Sequence, residues 1–161
     1  MTTLAVTGHI DLTEETVPLV RAAIRELLGP YSGDLTGISC IAAGADSLFA
    51  EEVSAIGGRV IAVIPSLDYR SAVVRPQDAA VFDHLSETAV EVRTLPYETA
   101  DRAAYEAANA ELLKGADRLV AVWDGTPPSG RGGGTADLVE EARRAGIPVD
   151  VIWPDGAARR G

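Results

Sequence analysis

Three short segments of this chain combine small residues with groups able to hold an anion. Gly130-Arg131-Gly132-Gly133-Gly134-Thr135 is the densest of them. Its glycines let backbone approach a ligand and adopt positive φ. Thr135 sits where a helix would begin, and free N–H groups and the helix dipole favour phosphate there. The same segment also reads as a mobile surface loop with a threonine cap. Ala43-Gly44-Ala45-Asp46 is the second segment, and Thr7-Gly8-His9 the third. Asp46 can bond a sugar hydroxyl or cap its own helix. His9 can touch a ligand beyond the first strand. Pro65 and Trp123 stand at strand ends, and Trp123 is either a pocket wall or core. Asn109 interrupts a run of good helix formers and turns its amide either into a cleft or to water. Arg75 and Arg131, with Arg70, are candidate phosphate partners, because a guanidinium forks onto phosphate oxygens. Any exposed arginine of an acidic protein would look the same. Tyr69 can stack on a base or pack under its loop.

Asp137 and Glu140 are the candidate catalytic carboxylates near the glycine loop. As ionised groups they could act as nucleophile or general base. They could equally be acidic residues that merely stabilise a helix start. Cys40 reads as a buried small hydrophobe and His84 as a helix-surface residue. Two histidines without regular spacing make no metal site, and no cofactor is implied.

The elements that must position these residues alternate between β-branched runs and helical stretches. Strands are expected at Leu4 to Thr7, Gly37 to Ile41, Arg59 to Ile64, Glu91 to Thr94, Arg118 to Trp123 and Pro148 to Trp153. Helices are expected at about 13–28, 46–56, 77–89, 99–114 and 135–145, the first capped by Thr13. Strands alternating with helices indicate βαβ units and a mostly parallel sheet. The expectation is a three-layer α/β/α Rossmann-like domain over residues 1–154, followed by a flexible tail at 155–161. In such sheets ligands bind beyond the carboxyl ends of the strands, where all three small-residue segments fall. The alanine-rich helix near 99–114 offers a close-packing face, either internal or for self-association.

The 161 residues carry 14 Lys+Arg and 24 Asp+Glu, a formal charge of −10. That balance opposes a dedicated nucleic-acid partner, which usually needs a basic face. A small anionic ligand is still open, because backbone N–H groups hold phosphate without net positive charge. One cysteine excludes an internal disulfide framework. No apolar run is long enough to span a membrane, and the cytoplasm is the expected location.

Several of these segments together resemble one superfamily. Cys40 through Val53, then Gly57 through Pro65, looks like the central stretch of the DNA-processing protein A (Smf) proteins. There a glycine-acidic turn starts a helix and leads to a strand ending in proline. Asn109, Ala116 through Gly125, Gly133-Gly134-Thr135 and Ala145 through Val149 look like the C-terminal half of the LOG (lysine decarboxylase-like) proteins. Both belong to the SLOG superfamily of Rossmann-like nucleotide-ligand proteins. The resemblance implies a site for a nucleotide or nucleotide derivative. Gly133, Gly134 and Thr135 would hold phosphate, Gly44 and Asp46 would line the opposite wall, and Asn109 would face the ligand. It also implies that copies of the chain associate into a homo-oligomer.

The departures matter as much. LOG phosphoribohydrolases carry a catalytic Glu three residues after the matching Thr, and nucleoside deoxyribosyltransferases place their nucleophilic Glu nearby. This chain has Leu138 there. The expectation is therefore a non-catalytic binding or sensor protein for a small nucleotide-like ligand. The rivals are an N-glycosidic-bond hydrolase or transferase acting on nucleoside monophosphates, using Asp137 or Glu140, and a protein-interaction module.

Overall fold

The computed structural model describes residues 1–161. Six strands form one sheet: β1 (Thr2–Gly8), β2 (Leu35–Ser39), β3 (Arg59–Ile64), β4 (Glu91–Thr94), β5 (Arg118–Val122) and β6 (Val149–Ile152). Their order is β4-β3-β2-β1-β5-β6, and every neighbouring pair is parallel. The helices are α1 (Thr16–Leu28), α2 (Ala45–Ala55), α3 (Tyr69–Ala72), α4 (Ala79–Thr88), α5 (Arg102–Leu113) and α6 (Thr135–Arg144). The expected three-layer Rossmann-like α/β fold is the one observed.

Strand alternation builds the two cores. Leu4 and Val6 of β1 face a cluster with Val20, Ile24 and Leu28 of α1, Phe49 and Val53 of α2, and Phe82 and Leu85 of α4. Ala5, between them, faces the other layer, with Ala108 and Leu112 of α5 and Leu138, Val139 and Ala142 of α6. A side-chain period of two sends neighbours to opposite faces. Burying each Val or Leu contributes roughly 1.5–3 kcal/mol. One side of the alanine-rich α5 is internal, with Ala104 and Ala108 buried, while Ala103 and Ala110 are exposed. Helices α1 and α2 are clamped by a carboxylate. Glu52 is almost fully buried and accepts hydrogen bonds from Arg21 Nη1 and Arg25 Nε, both at 2.8 Å.

Several local expectations differ from what is seen: β2 ends at Ser39, which leaves Cys40 beyond the strand, and α5 starts at Arg102 behind the Asp101 cap. Helix α1 starts at Thr16 rather than Thr13. Thr13 spends its hydroxyl on the Thr16 hydroxyl, at 2.6 Å, and its carbonyl accepts the N–H groups of Thr16 and Val17. The polar stretch after β3 contains the short helix α3, whose Tyr69 is buried. The segment 155–161, expected to be a flexible tail, is tied down. Arg159 forms an antiparallel bridge with Leu12, Arg160 N–H donates to the Asp11 carbonyl at 2.7 Å, and the Ala158 carbonyl accepts the Thr13 N–H and the Thr16 hydroxyl while its N–H donates to Thr16 Oγ1. No helix is long and apolar enough to cross a membrane.

Candidate ligand-binding site

Strand order reverses beside β1: β2, β3 and β4 extend to one side of it and β5 and β6 to the other. Connections after β1 and β5 diverge toward opposite layers, which opens a crevice at their carboxyl ends. The structure holds a cleft of about 370 Å³ there. Its floor is Val6, Thr7, Gly8 and His9 at the end of β1. Its walls include Cys40 just after β2, Asp46 in the first turn of α2, Pro65 after β3, and Tyr69 of α3. Tyr105, Asn109 and Leu112 of α5, Trp123 after β5, Thr126 to Ser129 of the loop that follows, Gly133 to Asp137 at the start of α6, and Arg159 also line it.

Gly8 lets α2 and β5 close on the end of β1. A Cβ there would lie 2.4 Å from Ala45 Cβ and 2.8 Å from Val122 Cβ. Gly44 serves a related purpose. It has φ +80°, and a Cβ on it would lie 2.6 Å from the His9 carbonyl oxygen, which accepts the Ala45 N–H at 3.2 Å. Gly44 and Ala45 therefore fasten α2 against the end of β1 and do not themselves line the cleft. They set Asp46 at its wall.

Asp46 and Asn109 share an unusual property. Asp46 Oδ1 and Asn109 Nδ2 are the two buried side-chain polar atoms of the chain without a hydrogen-bond partner. Both residues are more than nine-tenths buried, and both line the same cleft, one from α2 and the other from α5. Burial pushes the Asp46 carboxyl up to about 7, a hydrogen bond at Ala42 offsetting part of the effect. Cys40, half-buried beside it, is raised by burial and then by the Asp46 charge. Tyr69 is raised by burial and by the same charge.

A charge network with Asp124 and Asp11 holds the two basic side chains that line the cleft, His9 and Arg159. Asp124 N–H donates to His9 Nε2 at 3.1 Å, and Asp124 Oδ1 lies 3.1 Å from the same nitrogen. The Thr126 N–H and hydroxyl both donate to Asp124 Oδ1. Burial alone would raise Asp124, but these bonds and His9 hold its carboxyl well below the usual range. Burial and the Arg159 charge lower His9, against the pull of Asp124, which keeps the imidazole neutral at physiological pH. Its ring packs edge-on against Trp153 at 5.6 Å. Arg159 donates to Asp11 at 2.9 Å and lies 3.5 Å from Asp124.

The glycine loop is shaped by packing as well as by what it faces. Gly132 and Gly133 have φ of +76° and +74°, and Cβ atoms on them would crowd Glu106, Arg102 and Tyr105 of α5 at 2.6–2.7 Å. Gly133, Gly134, Thr135 and Ala136 line the cleft, whereas Gly132 lies behind it. Asp137 also lines it, but its carboxylate accepts the Gly134 N–H at 3.0 Å as part of the helix cap. Leu138 is fully buried in the core and Glu140 is exposed outside the cleft.

The arginines singled out from sequence lie elsewhere. Arg75 pairs with Asp78 at 2.9 Å and Arg70 forks onto Asp83 at 2.7–2.8 Å. Arg131 is exposed and outside the cleft lining. The guanidinium that reaches the cleft is Arg159, hidden from sequence reasoning by the assumption that the end of the chain is loose. Asp124 was findable, since a polar residue directly after a strand of such a sheet stands at the ligand end.

No family model and no curated protein matches this sequence. Solved structures do. DNA processing protein A of Streptococcus pneumoniae superposes with TM-score 0.68 at 19% identity, over 97% of this chain and 52% of that one. The chain thus spans about half the length of that protein. DNA processing protein A of Helicobacter pylori gives TM-score 0.68 at 15% identity, over 98% of this chain and 68% of that one. The Moco carrier protein of Chlamydomonas rheinhardtii gives 0.54 at 16%, over 93% and 74%. At these identities the likeness is one of fold: a Rossmann-like parallel sheet shared with the DNA-processing proteins that the sequence resembles.

Proposed function

We propose that the cleft binds a small nucleotide or nucleotide-derived anionic ligand, and that the protein acts as a non-catalytic binding or sensor protein. The observation that carries this reading is the pair of unpartnered buried atoms, Asp46 Oδ1 and Asn109 Nδ2, lining one cleft at the switch point of the sheet. A buried polar group without a partner costs about 1–3 kcal/mol, so two in one cleft are most simply explained by a ligand that satisfies both. The start of α6 supplies N–H groups with no partner inside the helix, suited to an anionic end. The volume fits a mononucleotide-sized molecule.

Catalysis at the N-glycosidic bond has little support among these side chains. Leu138 carries no titratable group, Asp137 is engaged as a cap and Glu140 faces away. The Helicobacter pylori protein binds single-stranded DNA, and the Moco carrier protein is named for a small molecule. For this chain the charge of −10 favours the small ligand over a polynucleotide.

The test is a thermal-shift screen against nucleoside mono-, di- and triphosphates, nucleotide sugars and NAD derivatives, with mass spectrometry of each incubated sample. A ligand at 100 times its Kd should stabilise the fold by roughly 2.7 kcal/mol. A shift with intact ligand is the expected result. Released base would overturn the non-catalytic reading, and no shift with any compound would overturn the nucleotide reading.

A further inference from the structure

Asp46 faces a wall of acids and neutral groups. Cys40 approaches it from the end of β2, Tyr69 from α3, and Tyr105 lies across the cleft on α5. His9, from the β1–α1 connection, is biased toward the neutral imidazole by burial. Arg159 reaches the cleft from the C-terminal segment but is engaged by Asp11 and Asp124. Arg21 and Arg25 of α1 are spent on Glu51 and Glu52. Asp137 of α6 adds a further carboxylate to the lining. No free cation is directed at Asp46, while its Oδ1 lacks any partner and is buried. A carboxyl in such surroundings favours the neutral acid. Asn109 Nδ2, from the opposite layer, is a donor in either case.

We propose that Asp46 enters the complex as a protonated carboxylic acid and that, together with the Asn109 amide, it donates hydrogen bonds to two acceptor atoms of an uncharged part of the ligand. This inference rests on the binding role proposed above and deepens it. The ligand lies with its anionic end at the start of α6. Its carbonyl-bearing or imine-bearing ring, a nucleobase in chemical class, lies toward Asp46, Asn109 and the Tyr69 and Tyr105 rings. Binding is then linked to a proton, and affinity falls as pH rises. With a free-state carboxyl near 7, the protonated fraction drops about tenfold between pH 6 and pH 8.

The experiment is calorimetric titration of the full chain with the four ribonucleoside 5′-monophosphates and with inorganic phosphate, at pH 6 and pH 8. Wild type is compared with Asp46→Asn and Asn109→Ala. The Asp46→Asn amide still donates but does not titrate, so its pH profile carries every other titration, that of the ligand's phosphate and of His9 included. The expected result is that wild type loses about tenfold in affinity relative to Asp46→Asn across this range, and that Asn109→Ala is weaker at both pH values. Parallel pH profiles for wild type and Asp46→Asn would overturn the inference while leaving the binding role intact. A wild type that tightens with pH relative to Asp46→Asn would overturn it too, making Asp46 an ionised acceptor. No binding by any monophosphate would remove both this inference and the nucleotide reading. Should Asp46→Asn not fold, difference infrared spectra of the wild-type complex at pH 7.5 decide. A carboxylic-acid carbonyl band that gains intensity on binding supports the inference, and a gain in carboxylate bands overturns it.

Discussion

Asp46 is a residue whose position weakens the fold at neutral pH. Its folded carboxyl holds a proton up to about 7, whereas its ordinary value is 3.8. The unfolded chain therefore releases that proton first. Whatever stability the protonated side chain allows is fully present below about pH 4, and it is lost as pH rises toward 7. Asp46→Asn should accordingly be more stable than wild type at pH 8, by up to about 4 kcal/mol, and the two should converge near pH 4. Urea denaturation at both pH values measures this. Equal stability at pH 8 would mean that the carboxylate is solvated in the fold. At this scale the sequence was legible in part. Asp46, Asn109, His9 and Trp123 were all recognisable from their places after strands or within a helix of good formers. Nothing in the sequence distinguished a capped aspartate from an orphaned one, because that difference depends on what α3 and α5 bring over it. Leu138 was legible as a lost acid, and its core position gives the positive reason for a leucine there.

At the scale of elements, the alternation of apolar strands and helices announced the layers, and the structure follows it. The C-terminal segment was the element misjudged. A short polar stretch ending in Arg159-Arg160-Gly161 carries no periodicity, so its docking could be seen only once Leu12, Thr13 and Thr16 were in place as its partners. Removing residues 155–161 should strip those bonds, leave Asp11 and Asp124 unpaired by Arg159, and lower the melting temperature. A loss of 1–2 kcal/mol corresponds to roughly 2–8 °C in a domain of this size. The His9 imidazole, freed from the Arg159 charge, should then titrate higher, which NMR of the ring protons reads directly. An unchanged His9 titration would show that Arg159 does not govern the cleft. The glycine loop, legible as a loop, carried a second reason for its composition: φ near +75° and the close pass over α5 at Gly132 and Gly133.

Across the whole molecule, the two ends of the sheet differ from its middle. Strands β1 and β5 are flanked on both sides and carry the fully buried Leu4, Ala5, Val6, Leu119 and Val120. Edge strand β4 is mostly exposed, with Val92 at 44%. Hydrogen exchange should find the amides of β1 and β5 opening only with global unfolding, and those of β4 opening at lower free energy. Uniform protection across the sheet would contradict that gradient. The central place of β1 has a further consequence for how the molecule comes into being. Leu4 pairs with Leu119's neighbour Arg118, and Gly8 with Val122, across more than a hundred residues of chain. Emerging from a ribosome, β1 through β4 can assemble on one flank while the other flank of β1 has no partner. Both halves of the crevice are joined only when β5 and α6 arrive. During biosynthesis the cleft is therefore completed late, and a nascent chain stalled before residue 118 would hold Asp46 without Trp123 and the start of α6, which line the same cleft.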